Sequence, residues 1–87
     1  MDILILHNQR KYIVETKIWG GDARYDAGKA QLATYVALEA AVAGYYVVFN
    51  VVFDHRTTPK PCVETETLAG STIRSYVIPV IHERPSN

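Results

Sequence analysis

Apolar residues cluster in four short runs whose spacing is typical of β-strands. The first two, "DILIL" at 2–6 and "KYIVETKIW" at 11–19, are separated only by the polar "HNQR" and predict a β-hairpin. The run "YYVVFNVVFD" at 45–54 is apolar at consecutive positions, which predicts a central strand covered on both faces of a sheet. The run "TIRSYVIPVIHE" predicts a last strand at about 73–82, in which Pro79 favours a sheet edge or a bulge.

Between the hairpin and the central strand, strong helix formers run from about Ala23 to Ala43. Asp22 is a candidate N-cap for this helix, and Gly44 is a candidate stop. A helix of this length can cross over between parallel strands. Residues 55–72 mix Thr, Pro and charge and predict a loop, with an edge strand over "CVETET" as the alternative. The predicted order is β-β-α-β-(loop)-β, a small mixed sheet in an α/β fold.

The length of 87 residues indicates one small domain, and 48% hydrophobic residues is ordinary for a folded protein. We expect a core over 2–54, followed by the loop, the last strand and a tail over 83–87. The longest apolar run is about half of a membrane-spanning length. No signal peptide is recognisable, and the single Cys62 cannot form an intramolecular disulfide. These features predict a cytoplasmic protein with no membrane partner.

The charges of the chain are balanced. Nine basic and nine acidic residues give a formal net charge of zero. A neutral chain has no global field that attracts a polyanion, so binding to nucleic acid would depend on a local site. The three histidines are widely spaced and show no zinc-ligand pattern.

The predicted hairpin brings charged residues of its two strands together. If it closes about Asn8 and Gln9, or about the four-residue loop with the same centre, residue numbers that pair add to 17. Asp2 then lies opposite Glu15, and the two side chains share a face. Lys17 follows Glu15 by two residues and lies on that face too. Two carboxylates and an amine on one face suit a Mg²⁺ ion and a phosphate, which predicts metal-assisted phosphodiester hydrolysis.

The predicted helix adds two polar residues. Gln31 and Tyr35 are four residues apart and share one helical face. We expect Gln31 to hydrogen-bond near the lysine or a phosphate, and Tyr35 to contact a nucleic-acid backbone or base. Trp19 is either a packing residue or a ring that stacks on a base. The plain alternative is that the charges of "ETK" are solvent-facing residues of a half-exposed strand.

At this point the pattern resembles a known family. An aspartate on one strand, a hairpin partner with "E-x-K" and a helix with "Q-x-x-x-Y" resemble the PD-(D/E)XK nuclease superfamily, particularly its RecB-like branch. The stretches "YIVETKIW", "GKAQLATY" and "GYYVVF" are also similar to the nuclease-like domain at the C-terminus of certain AAA-ATPase-like bacterial proteins. The resemblance covers roughly residues 2–54 and implies a restriction-endonuclease-like core.

The resemblance also implies an activity and a set of roles. It implies a nuclease that uses Mg²⁺ or Mn²⁺ to hydrolyse DNA. The implied metal ligands are the side chains of Asp2 and Glu15 and the backbone carbonyl of Thr16. Lys17 is implied as the catalytic lysine, and the accessory helix pair is Gln31 and Tyr35.

The chain departs from the family pattern at its start. Family members usually have a helix before the first strand, whereas this sequence begins immediately before Asp2, so we expect a truncated member. A sheet face left bare by the missing helix predicts a homodimer or a strand-swapped oligomer. Binding of DNA by the single chain is expected to be weak. The alternative function is a non-catalytic assembly or nucleic-acid-binding module that retains the scaffold.

Overall fold

The computed structural model describes residues 2–52 and 61–81, with Asp2 described by its backbone alone. These residues form one five-stranded sheet and one helix. The elements in chain order are β1 (Asp2–His7), β2 (Arg10–Ile18), α1 (Asp22–Leu38), β3 (Ala43–Val52), β4 (Cys62–Leu68) and β5 (Ser71–Ile81). The strand order is β1-β2-β3-β5-β4, and β3 runs parallel to both of its neighbours. The predicted small mixed sheet, with β3 at its centre, is confirmed.

The hairpin of β1 and β2 closes as predicted about Asn8 and Gln9. Both residues have positive φ, at 51° and 65°, which is the backbone of a two-residue turn whose twist matches antiparallel strands. The register runs from His7 opposite Arg10 to Asp2 opposite Glu15. The predicted pairing is therefore confirmed along the whole of β1.

The crossover helix is shorter than predicted. It ends at Leu38 rather than near Ala43, and Ala40 adopts a positive φ of 53° in the turn that follows. The predicted N-cap is also wrong. Gly21 precedes the helix with φ of 102°, and Asp22 is the first helical residue, where its carboxylate meets the positive end of the helix dipole.

Gly44, the predicted helix stop, instead lies inside β3. A Cβ at this position would come 2.8 Å from Val36, and 3.0 Å from both Leu32 and Ile73. The glycine therefore lets the helix approach the sheet closely. Helix propensity alone extended the prediction through 39–43, because those alanine-rich residues carry no local signal that a strand follows.

The core lies between α1 and one face of the sheet, which we call the helix face. Residues at alternate positions of the three central strands point to it and pack against one side of the helix. The buried set consists of Ile13, Leu32, Ala33, Val36, Tyr46, Val48 and Ile73. Tyr46 of β3 packs directly against Gly28 of the helix, where an added Cβ would overlap the Tyr46 hydroxyl. That hydroxyl donates a hydrogen bond to the carbonyl of Tyr25 at 3.1 Å, and burial raises the pKa of Tyr46.

The predicted loop over 55–72 is wrong for residues 62–68, which form the edge strand β4 antiparallel to β5. The alternative of an edge strand over "CVETET" is the correct one. A two-residue turn with positive φ at Ala69 and Gly70 joins β4 to β5, so the last strand begins at Ser71. The rest of the predicted loop and the predicted tail over 83–87 lie outside the described residues.

β5 is not an edge strand, although Pro79 suggested one. It lies between β3 and β4. Pairing with β4 ends at Val77, however, and Pro79 pairs with Asn50 of β3. The proline therefore lies in a segment that is paired on one side only among the described strands, where a missing N–H is tolerated.

The second face of the sheet carries no helix within the described residues, and we call it the open face. The expectation that β3 is covered on both faces is therefore wrong for this face. Its apolar residues are Ile3, Ile5, Tyr12, Val14, Ile18, Ala43, Tyr45, Val47, Phe49, Val51, Val63, Tyr76, Ile78 and Val80. In the described part of the chain, no helix is both long enough and apolar enough to span a membrane.

Candidate functional site

Glu15 and Lys17 lie side by side on the helix face of β2. Alternation along the strand places them on the same face as the buried Ile13. The Lys17 Nζ is 3.6 Å from the Glu15 Oε1. The Glu15 side chain is 13% exposed, whereas that of Lys17 is 41% exposed. The Glu15 carboxylate is thus mostly buried, whereas the Lys17 amine lies at the boundary with solvent.

A partly open cavity of about 590 Å³ adjoins Lys17. It lies at the carboxyl end of β2, where the chain leaves the sheet and enters α1. In open α/β sheets, ligands commonly bind outside the carboxyl ends of strands. Its chemistry comes from two cations, three aromatic rings and one amide, which belong to Lys17, Arg24, Trp19, Tyr25, Tyr46 and Gln31.

The cationic side of this cavity is contributed by Lys17 and Arg24. Among the described side chains, Arg24 takes part in no ion pair, and Lys17 pairs with Glu15 alone. The first turn of α1 also lies beside the cavity, with the positive end of the helix dipole. The cavity therefore favours an anionic ligand.

Trp19 contributes the aromatic side. Its ring lies 5.3 Å from that of Tyr25, at 43° between the planes, and it packs against the core. The packing alternative for this residue is confirmed. The same ring lines the cavity, so a flat ligand that enters would meet an aromatic surface.

Of the two predicted helix residues, Gln31 and Tyr35, only Gln31 lines the cavity. Gln31 is exposed and lines the cavity together with Lys17. Tyr35 is 42% exposed one turn further along α1 and is not among the residues that line the cavity. The structure thus brings Glu15, Lys17 and Gln31 to one end of the sheet, whereas Tyr35 lies outside this group.

The donor set suits one kind of metal ion. Among the side chains that the structure describes, no three His, Cys, Asp or Glu residues come together as a ligand group. Glu15 provides one partly buried carboxylate, and the residue opposite it in the register is Asp2, whose side chain lies outside the described part. Mg²⁺ binds through one or two carboxylates and keeps several waters, so these residues fit Mg²⁺ or Mn²⁺ better than a closed zinc site.

The structure also contains an acid–base cluster that the sequence reading missed. Lys29 of α1 lies 2.6 Å from Glu66 and 3.5 Å from Glu64 of β4, and its Nζ is 4.4 Å from the centre of the Tyr25 ring. Only 9% of its side chain is exposed. Burial on its own would lower the pKa of Lys29, but hydrogen bonds to Glu66 and Tyr25 outweigh it and raise that pKa. The cluster ties the helix to the edge strand.

Neither Lys29 nor Arg24 was singled out from the sequence. Lys29 sits three residues before the buried Leu32 and at helical spacing from it, which is a signal for a core-facing position. Its partners on β4 were not predicted, because residues 62–68 were expected to be part of a loop. Arg24 lies two residues after the turn "GGD", and its place beside the cavity depends on how the crossover leaves β2.

Comparisons of the chain with protein-family models, with curated proteins and with solved structures find no match. The observed architecture is a small mixed α/β fold. The restriction-endonuclease-like core stays a prediction from the motif residues and their spacing.

Proposed function

We propose that this chain is a Mg²⁺-dependent nuclease-like domain that hydrolyses DNA phosphodiester bonds. The observation that carries the proposal is the hairpin register, which pairs Asp2 with Glu15 two residues before Lys17. Glu15 and Lys17 sit on the helix face, and the lysine borders a cavity that also contains Arg24 and Gln31. An acid, an amine and a cationic pocket at one end of a sheet suit a phosphate substrate.

In this proposal, Glu15 and Asp2 hold Mg²⁺ or Mn²⁺, with the backbone carbonyl of Thr16 as a third ligand. When bound, the ion offsets phosphate charge and lowers the pKa of coordinated water. Lys17 holds the water or a phosphate oxygen by a charged hydrogen bond, which its half-exposed position allows.

The cavity residues position the substrate. Arg24 binds a neighbouring phosphate, and Gln31 donates a hydrogen bond to a phosphate oxygen or accepts one from Lys17. Trp19 offers its ring to a nucleobase. Tyr35 contacts the DNA further along the helix. Because the whole chain is neutral, these contacts support weak binding of DNA by a single chain.

The proposal is tested by cleavage of single-stranded and duplex DNA in the presence of Mg²⁺. The wild type should cleave, and Glu15→Gln should lose at least roughly 100-fold in rate, because the variant lacks the anionic oxygen that holds the ion. Glu39→Gln is the matched control, since Glu39 also pairs with a lysine of β2 but lies away from the cavity. Absence of cleavage by the wild type, or equal losses in the two variants, would contradict the proposal.

A second candidate is a non-catalytic module that binds nucleic acid on the same residues. The observation that favours it is the cavity itself, with two cations and an aromatic lining. Trp19 is the single tryptophan of the chain, so its fluorescence reports on the cavity directly. Binding of an oligonucleotide in the presence of a metal chelator, weakened by Arg24→Ala and accompanied by no cleavage on adding Mg²⁺, would support this candidate. Unchanged fluorescence would contradict it.

A further inference from the structure

The open face is an extended apolar surface in the described part of the chain. Five strands contribute to it, and several of its side chains are substantially exposed, including Ile3 and Ile5 at 43% each, Phe49 at 36% and Val63 at 64%. Apolar patches larger than a few hundred Å² are rare on monomeric proteins and mark interaction sites. This face is separate from the candidate site, which lies on the helix face.

The open face is apolar at one end and more polar towards the other. Phe49 of β3 pairs with an isoleucine on each side. Thr16, Arg74 and Arg10 lie successively further towards the other end of the face. No acidic side chain of the described residues points to this face. An apolar region bordered by polar residues is the usual anatomy of a protein–protein interface.

The size of the face matches one kind of partner. From the exposed fractions of its side chains, the apolar area that it offers is on the order of 700 Å², close to the ~800 Å² that each partner buries in a standard interface. Because the end of the face around Phe49 is apolar and uncharged, it calls for a flat partner with the same properties. A second copy of the same face meets that requirement, with its arginines away from this end.

We infer that the open face packs on the open face of a second copy, so that the chain forms a two-fold symmetric dimer with two sheets stacked face to face. Stacked sheets lie about 10 Å apart, a distance that side chains such as Phe49 and Tyr45 fill from both sides. A two-fold interface presents the same patch from both partners. The helix and the cavity then face outward on both copies, and both candidate sites remain accessible.

The test is the oligomeric state of the full chain, measured by sedimentation over a wide range of concentrations. The wild type should sediment as a dimer at micromolar concentration, and its melting temperature should rise with protein concentration. A wild type that stays monomeric throughout this range would overturn the inference.

Two substitutions locate the interface. Phe49→Lys should raise the dimer dissociation constant at least roughly 100-fold, because it places a charge in the apolar centre. Leu38→Lys is the matched control, since Leu38 is an apolar residue of α1 that is 78% exposed, more than Phe49. If exposed apolar surface in general caused association, the control would have the larger effect, and that result would overturn the inference.

The substitution at Phe49 can also lower stability by itself. Ile78→Lys changes the neighbouring residue on β5, which pairs with Phe49 and is 38% exposed. Circular dichroism shows whether each variant is folded at the concentration used. A folded Ile78→Lys variant should be monomeric where the wild type is dimeric, and a folded variant that dimerises as the wild type does would contradict the face-to-face arrangement.

Discussion

Two salt bridges lie at opposite ends of the helix face of β2, and their geometry is nearly the same. Lys11 lies 3.5 Å from Glu39, and Lys17 lies 3.6 Å from Glu15. The two lysine side chains are 42% and 41% exposed. The exposure of the lysines and the lengths of their salt bridges therefore do not distinguish the two ends of β2.

The acids distinguish them. Glu39 caps the end of α1 with 34% of its side chain exposed, whereas Glu15 is 13% exposed between β1 and β3. Lys17 also borders the cavity, and Lys11 does not. Glu15 does not itself line the cavity but adjoins Lys17, which does, and it keeps far less contact with water than Glu39 at the helix end. The burial of the acid, rather than the length of the salt bridge, indicates a site.

The largest expected effect is on the rate of DNA cleavage, which should depend on Lys17 and not on Lys11. Lys17→Met should lower the rate of Mg²⁺-dependent DNA cleavage by about 100-fold or more, because positioned proton donors and charged hydrogen bonds typically contribute that much. Lys11→Met removes the same charge from the same strand and should leave the rate within about threefold. Equal rates for the two variants would mean that the cavity end of β2 has no special role.

The next largest effect is on thermal stability and concerns Lys29, whose ion pairs join α1 to β4. Lys29→Met should lower the free energy of unfolding by about 2 kcal/mol, less than for a fully buried pair because Glu64 and Glu66 retain access to water. In a chain of this size the melting temperature should fall by roughly 10 °C. Thermal melting checks this, and a fall of only about 2 °C or less would show that the cluster does not hold β4 to the helix.

The same cluster predicts a dependence on alkaline pH. The folded chain raises the pKa of Lys29, and it raises the pKa of Tyr46 by burial. Groups whose pKa is raised by folding contribute stability that is complete below their unfolded values, near pH 10, and is lost as the pH rises through the folded values. Urea unfolding should give a constant free energy up to about pH 9 and a decline above it. The decline should be shallower in Lys29→Met, and identical declines would contradict the assignment.

The smallest expected effect is on the stability of the two matched variants. Lys11→Met should change the free energy of unfolding by no more than about 0.5 kcal/mol, since a half-exposed ion pair contributes little. Lys17→Met should lower it by about 1 kcal/mol, because it removes the amine beside Glu15, which is 13% exposed. Urea unfolding of both variants measures this directly. A loss of about 2 kcal/mol or more in Lys17→Met would place that lysine with Lys29, among the residues that hold the fold together.

Local signals were sufficient for the hairpin. The turn at Asn8 and Gln9 and the alternation of β2 fix the register, and the register alone brings Asp2 opposite Glu15. Helical spacing put Gln31 and Tyr35 on one face of α1, but only Gln31 lines the cavity. The hairpin prediction concerns two strands joined by a single turn.

The remaining features depend on packing between distant segments. Residues 62–68 are polar and were predicted as part of a loop, although the turn at Ala69 and Gly70 that joins them to β5 is a local signal for a hairpin. Glu64 and Glu66 face Lys29 only after the strand has formed. Gly44 resembles a helix stop until the helix is seen packed against it. Tertiary contacts outweigh local propensity at each of these positions.

The most direct test of the central claim is the effect of Mg²⁺ on thermal unfolding. Millimolar Mg²⁺ should raise the melting temperature of the wild type and of Glu39→Gln, because a ligand that binds only the folded chain stabilises it. It should leave the melting temperature of Glu15→Gln unchanged. A melting temperature that Mg²⁺ leaves unchanged in the wild type, or raises equally in all three proteins, would contradict the claim that Glu15 belongs to a metal site.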